Sequence, residues 1–203
     1  MITHFAASAD ANGGDLERRV RRVAARFEER IEDAYFRPDT PVRPIDAGLH
    51  AWLATLRAGG MRVALDTGYP PAVQAGLAEM LEMGPGDAVD ALVSAYDVAE
   101  GRPYPYMIFR AMEACGVRDV RRVAKVGDSA RDMEEGRNAG CGLVVGVLSG
   151  ADPAATLFAG GADVVVPIIT DLEVGQSAEE DVYQVEKSAS VPRSAEFKSL
   201  EIM

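Results

Sequence analysis

The stretch Lys125-Val126-Gly127-Asp128-Ser129-Ala130-Arg131-Asp132 decides the fold. It closes an apolar run, Arg122 to Val126, with Gly-Asp and restarts at once as a helix. Such a junction belongs to an open α/β sheet, where ligands gather outside the C-terminal ends of the strands. Asp128 and Asp132 place two carboxylates within one helical turn of that end. A magnesium ion takes one or two carboxylates together with waters and phosphate oxygens, so the pair suits a metal bound beside a phosphate. The same residues have a structural use, with Asp128 or Ser129 as helix N-cap and Asp132 facing the helix dipole in the first turn. The stretch by itself leaves both readings open.

Working outward, the apolar run Met61 to Leu65 leads through Asp66 into Thr67-Gly68, a turn whose hydroxyl and N–H groups make a small anion nest. Arg102 stands between Gly101 and Pro103, with a further proline at 105, in a backbone stiff enough to aim its guanidinium. Arginine suits two-pronged contact with phosphate. Lys125 ends its strand and reaches either the same pocket or, along its aliphatic stem, solvent. His50, on a helix before Trp52, reads as a surface or partner-face residue and forms no catalytic pair with His4. No serine sits in a nucleophile elbow, and no phosphate-loop lysine follows a glycine-rich stretch.

The rest of the chain repeats the strand-to-helix rhythm. Strands are predicted at Met61 to Leu65, Ala91 to Ala95, Arg122 to Val126, Leu143 to Val147 and Asp163 to Val166, and helices at Pro71 to Met83, Pro105 to Cys115, Ser129 to Ala139 and Pro153 to Ala159. Strands alternating with helices predict parallel βαβ units in a doubly wound sheet. Upstream, Leu16, Val20, Val23, Phe27, Ile31 and Tyr35 recur at helical spacing from Asp15, read as the N-cap, to Phe36. A second helix starts near Asp46 and stops at Gly59-Gly60. The expected organisation is a partial helical cap segment over 1–42, an α/β core over 43–172 and a disordered tail over 173–203, with weak docking open to Val182 to Val185.

Composition narrows the classes. The 203 residues suit one α/β core with a small appendage. A net charge of −11 opposes binding to phosphate backbones, so nucleic acid is not expected as a partner. The basic run Arg18, Arg19, Arg21 and Arg22 reads as a solvated helix face, and acidity gathers around Glu179, Glu180 and Asp181. Cys115 and Cys141, the two cysteines, have no metal-ligand spacing and read as core residues of a reducing compartment. No apolar run reaches the roughly 20 residues that cross a bilayer, so no membrane partner and a cytoplasmic location are expected.

Three segments together resemble the haloacid dehalogenase (HAD) superfamily of hydrolases, in its phosphonatase-like branch. Ala64-Leu65-Asp66-Thr67-Gly68-Tyr69 is similar to the second family motif, Ala99 to Met107 to the third, and Val126 to Gly140 to the fourth. The likeness covers about residues 15 to 172. It implies a Rossmann-like core, Thr67, Gly68 and Arg102 on phosphate, Arg102 and Asp132 as catalytic groups, Asp128 as magnesium ligand and Asp132 supporting it. It further implies Mg-dependent cleavage of a small phosphorylated or phosphonate metabolite through an aspartyl intermediate. The helix from Asp15 to Phe36 would belong to a cap that closes over the site and orders the substrate.

Members of the superfamily open with an apolar strand ending in Asp-x-Asp or Asp-x-Ala, and its first Asp attacks. Here Asp10 and Asp15 follow no strand, and the Asp10 match is superficial. The expectation is a truncated chain, weakly active or inactive, whose missing central strand leaves a gap between the strands ending at Leu65 and Val126. Direct pairing, a partner chain or absent residues would close that gap, and a homo-oligomer is one outcome. The alternative reading is a non-catalytic protein that binds phosphate or a metabolite, or serves as a scaffold.

Overall fold

The computed structural model describes residues 13–36, 42–176, 182–186, 195–198 and 201–202. His4, Asp10 and the acidic group at 179–181 lie outside them. Helix α1 spans Gly13–Tyr35 and α2 Leu49–Ala58, followed by β1 Ala64–Thr67, α3 Pro71–Met80, β2 Ala91–Ser94 and α4 Tyr106–Cys115. Then come β3 Val123–Gly127, α5 Ala130–Ala139, β4 Leu143–Val147, α6 Ala154–Gly160 and β5 Val164–Val166. The chain continues with β6 Glu173–Gln176, β7 Val182–Glu186, β8 Ala195–Lys198 and β9 Glu201–Ile202.

The strand-helix alternation therefore stands, with shifted ends. The first strand begins at Ala64 rather than Met61 because the Val63 N–H is taken by the Asp90 carboxylate at 2.9 Å, not by a neighbouring strand. Asp15 lies in the first turn of α1 and does not cap it, since the helix already starts at Gly13. α5 starts where its sequence says it should. Ser129 Oγ accepts from the Asp132 N–H while the Asp132 carboxylate accepts from the Ser129 N–H, a reciprocal cap that satisfies two donors with no helical partner.

Strands β1 and β2 form a parallel pair with Leu65 opposite Leu92. A second, four-stranded parallel sheet runs β5-β4-β3-β9, with Val126 opposite Val145. β6, β7 and β8 make a separate antiparallel meander. The two parallel sheets share their cores. One buried cluster joins Val63 to Ala124, Leu143, Val145 and Val164, and the other joins Ala64, Ala91 and Val93 to Val123 and Val144. Thr67 ends β1, Lys125 lies within β3 and Asp128 follows its last residue, so these residues stand at strand C-termini that lead into helices.

The expected gap between β1 and β3 is present: the two strands belong to different hydrogen-bonded sheets. Within 173–203, expected as a tail without structure, the described residues form short strands, and β-branched and aromatic residues such as Val182, Tyr183 and Val185 cluster in one of them. β9 pairs parallel to β3, with Val123 opposite Glu201 and Ala124 opposite Ile202.

α1 touches the core at its end. The Tyr35 and Tyr69 hydroxyls are 2.8 Å apart with their rings tilted at 59°, and the Phe36 ring lies against Gly76 of α3. Farther up, Val23 and Phe27 of the apolar stripe are exposed, and Arg18, Arg19, Arg21 and Arg22 face solvent as expected. Arg21 pairs with Glu17 on the same face at 2.8 Å. Among the described residues, no helix is long and apolar enough to cross a membrane.

Candidate active site

β1 delivers Asp66 and Thr67, and β3 delivers Lys125 and, just past its end, Asp128. The Asp66 carboxylate is buried at 4% exposure and receives the Lys125 ammonium at 2.5 Å. Arg102 reaches the same carboxylate from the loop before α4 and also donates to the Asp66 carbonyl at 3.0 Å. Its Nε lies 2.7 Å from Asp132 and 3.2 Å from Glu135, and Lys125 Nζ lies 2.8 Å from Glu135. Three buried carboxylates thus surround two buried cations.

The electrostatics follow from that arrangement. Burial works against the charge on Asp66, yet Lys125 and Arg102 outweigh it and hold its pKa below the ordinary value. Burial likewise opposes the Lys125 charge, and Asp66, Glu135 and Asp132 reverse the effect and raise its pKa despite Arg102. Glu135 is the exception. Burial and the negative charge of Asp66 push its pKa up against the pull of Lys125 and Arg102, and its Oε1 has no hydrogen-bond partner among the described residues. With one more carboxylate than cations, a proton on Glu135 makes the buried group neutral.

The ligand atoms of Asp66, Asp132 and Glu135 lie within 4.8 Å of one another, a spacing that would suit a metal ion. The space among them is filled by Arg102 and Lys125, so this trio is an ion-pair network and offers a divalent cation no free set of oxygens. Asp132 here caps α5 and pairs with Arg102. Asp128 differs. Its Oδ2 accepts from the Ala151 N–H at 2.8 Å, while Oδ1 makes no bond among the described residues. A Cβ added at Gly150 would sit 1.8 Å from that Oδ2, so the loop after β4 closes on Asp128 as only glycine permits. Gly127 has a similar reason, since a Cβ there would lie 2.2 Å from the Asp132 Cβ.

Thr67 Oγ1 accepts from the Tyr69 N–H at 3.2 Å, and the buried Ser94 hydroxyl donates to the Tyr69 carbonyl at 2.7 Å. The turn is therefore pinned, while Gly68 is exposed and a Cβ on it would meet open space. Tyr69 is pushed up to about 12 by burial, by its bond to Tyr35 and by the nearby charges, Asp128 included. Arg102 is turned inward to the network, with its side chain only 21% exposed.

Asp66 and Glu135 were missed as site residues by sequence reasoning, although an acidic side chain within a buried strand signals a buried partner. Lys125 is a core residue at 1% exposure, which removes its reading as a solvent-seeking side chain. His50 lies apart from this group, half-buried, its Nε2 donating to the Leu81 carbonyl at 2.8 Å.

Comparison with known proteins identifies the family and the fold. The haloacid dehalogenase-like hydrolase family matches residues 4–140, and a HAD-hydrolase-like family matches residues 99–182. A phosphonoacetaldehyde hydrolase of Bacillus cereus (strain AH187) is 40% identical over 108 residues, covering 53% of this chain and 40% of that protein. One from Lysinibacillus sphaericus (strain C3-41) is 35% identical over 126 residues, covering 62% of this chain and 45% of that protein. The chain thus spans less than half the length of these relatives. Among solved structures, a phosphonoacetaldehyde hydrolase-like protein from Oleispira antarctica superposes with a TM-score of 0.61 at 23% identity, over 82% of this chain and 65% of that one. A β-phosphoglucomutase from Clostridium difficile gives 0.57 at 15% identity, over 80% and 65%. These structures share the fold, and the family match extends over most of the sequence: the chain belongs to the haloacid dehalogenase-like hydrolases.

Proposed function

We propose that this fold serves Mg-dependent cleavage of a small phosphorylated or phosphonate metabolite, in the manner of the phosphonatase-like branch. The observation that carries the reading is the pinned Thr67-Gly68 turn at the end of β1 and the clamped Asp128 carboxylate just past the end of β3, with Arg102 anchored on Asp66 of β1. A magnesium ion would be held by Asp128, and it supplies charge neutralisation for the transferring group. The Thr67 hydroxyl, whose oxygen already accepts from Tyr69, keeps its own proton to donate to a phosphate oxygen. Gly68 leaves room for close approach. Arg102, held by Asp66, Asp132 and Glu135, keeps a fixed positive charge beside the anion and needs no reorganisation during the reaction. Asp132 acts through Arg102 and the α5 cap.

The attacking carboxylate implied by the superfamily has no counterpart among the described residues: Asp66, Asp132 and Glu135 are consumed by ion pairs, and Asp128 is turned to the 150–152 loop. Turnover by these 203 residues alone is therefore weak or nil. The consumption of all three acids also favours a second reading, in which the site binds phosphate or a phosphorylated metabolite without chemistry.

Phosphate release from an aryl phosphate, with and without magnesium, separates these readings when Asp128→Ala is run beside the unaltered chain. Magnesium-dependent release lost in Asp128→Ala supports the hydrolase. Thermal stabilisation by phosphate without release supports the binder, and neither effect overturns both.

A further inference from the structure

Helix α1 carries the apolar row Leu16, Val20, Val23 and Phe27 at alternating steps of four and three, the spacing of a coiled-coil seam. Beyond Phe27 the steps become four and four, through Ile31 to Tyr35, so the row turns around the helix and its last ring meets Tyr69 of the core. Ahead of that contact the centre of the seam is open among the described residues, with Val23 55% exposed and Phe27 42%. A lone exposed apolar side chain is ordinary, whereas successive ones on one seam of a 23-residue helix make a face.

The charge on α1 is divided. Residues 18–26 hold five arginines and no acid, and residues 28–33 hold four acids and one arginine. This order opposes the helix dipole, which favours acids at the start and bases at the end. Arginines three and four apart also repel one another along a helix. Neither feature stabilises a lone helix. Beside a second copy running antiparallel, the same order sets the basic half of each helix against the acidic half of the other, and a parallel copy would set like against like.

We propose that the seam of α1 is a self-association surface, and that its occupant is the α1 helix of a second copy of this chain, antiparallel about a two-fold axis. Such an interface is isologous, each copy giving the same patch. A dyad near residue 25 sets each copy's Val23 against the other's Phe27 and each Val20 against the other's Ile31. In that same register Arg22 of one copy comes level with Glu29 of the other, and Arg18 with Asp33. Apolar and charged residues agree on one register, and that agreement commits the face to a second copy. A helix pair of this length is smaller than the standard interface of about 1,600 Å², so the dimer is reversible. The proposal does not rest on the reaction that the site performs.

Sedimentation velocity of the full chain over a range of concentrations tests it. The unaltered chain shifts from monomer to dimer as concentration rises. Phe27→Glu, at an exposed position, weakens the dimer by about tenfold or more, since it puts two carboxylates into the apolar seam. The variants Arg18→Glu/Arg22→Glu and Glu29→Lys/Asp33→Lys each associate more weakly alone and pair one to one when mixed, because each supplies the charge that the other lacks. A chain that stays monomeric at every concentration, or a dimer that Phe27→Glu leaves intact, overturns the proposal. So does a mixture of the two charge variants that pairs no better than either alone. Should Phe27→Glu unfold α1, seen as lost helical circular dichroism, the charge variants and their mixture decide the matter.

Discussion

Lys125 Nζ sits 2.5 Å from Asp66 Oδ2 and joins two strands that belong to different hydrogen-bonded sheets. The ion pair does across the gap what a ladder does elsewhere in the core. Both side chains are nearly inaccessible, at 1% and 4%. Their charge cannot be relieved by water, so each depends on the other.

Replacing Lys125 with Met keeps the stem's volume and strands Asp66 and Glu135 without their shared cation. The expected cost is about 3–5 kcal/mol, the penalty of leaving a buried charge uncompensated. Adding Asp66→Asn to the same chain recovers part of that loss, because the two residues act as one unit. Urea denaturation of both single variants and the double measures the coupling, and additive losses would show the pair to be energetically independent.

Acid and neutral pH act on this network in opposite directions. The folded pKa of Asp66 is lowered, so its contribution is present above the unfolded carboxylate value of about 3.9 and is lost as pH falls through the lower folded value. Glu135 is raised, so its contribution is present below about 4.3 and is lost as pH rises through its folded value. Asp66→Asn therefore flattens the acid limb of the stability curve. Glu135→Gln instead removes the decline above it and shifts the optimum toward neutral pH. Denaturation midpoints from pH 3 to 8 would show both effects, and identical curve shapes in all three proteins would refute the assignment.

Gly150→Ala tests the clamp on Asp128. The new Cβ would lie 1.8 Å from the carboxylate oxygen and 2.3 Å from its Cβ, so the loop must withdraw and the Ala151 N–H bond is lost. A destabilisation of about 1–3 kcal/mol is expected from forcing extra volume into a packed site. Magnesium-induced stabilisation of the unaltered protein, if Asp128 is the ligand, falls in the variant. Thermal melts with and without magnesium measure both.

The two thiols should separate in a labelling experiment. Cys141 is buried and its pKa is pushed up to about 12 by that burial, whereas Cys115 is half-buried at the end of α4. At pH 8 Cys115 reacts first, and Cys141 reacts only as fast as the protein unfolds, since the thiolate is the nucleophile. Equal rates in native protein would contradict the packing of Cys141 in the core.

Much of this architecture was legible in the residues. The Val126-Gly127-Asp128-Ser129 junction, the alternation of apolar runs with helical stripes and the arginine-rich face of α1 all depend on neighbours close in sequence, and periodicity reports such neighbours directly. Ser129 and Asp132 show the limit: their pattern allowed either a cap or a metal partnership, and the structure displays the reciprocal cap, with Asp132 committed to Arg102.

By itself the sequence determined the parallel α/β core, its strand-to-helix junctions and the family likeness, because each is written in local spacing. Only the tertiary structure decided the fate of the charges. Asp66 and Lys125 are 59 positions apart on two strands, and Arg102 reaches Glu135 of α5 from the loop before α4. The pairing of β9 with β3 is likewise a contact between distant segments. Burial and ion pairing are properties of three-dimensional neighbourhoods, so a buried lysine reads in sequence like an exposed one until the strands that enclose it are in place.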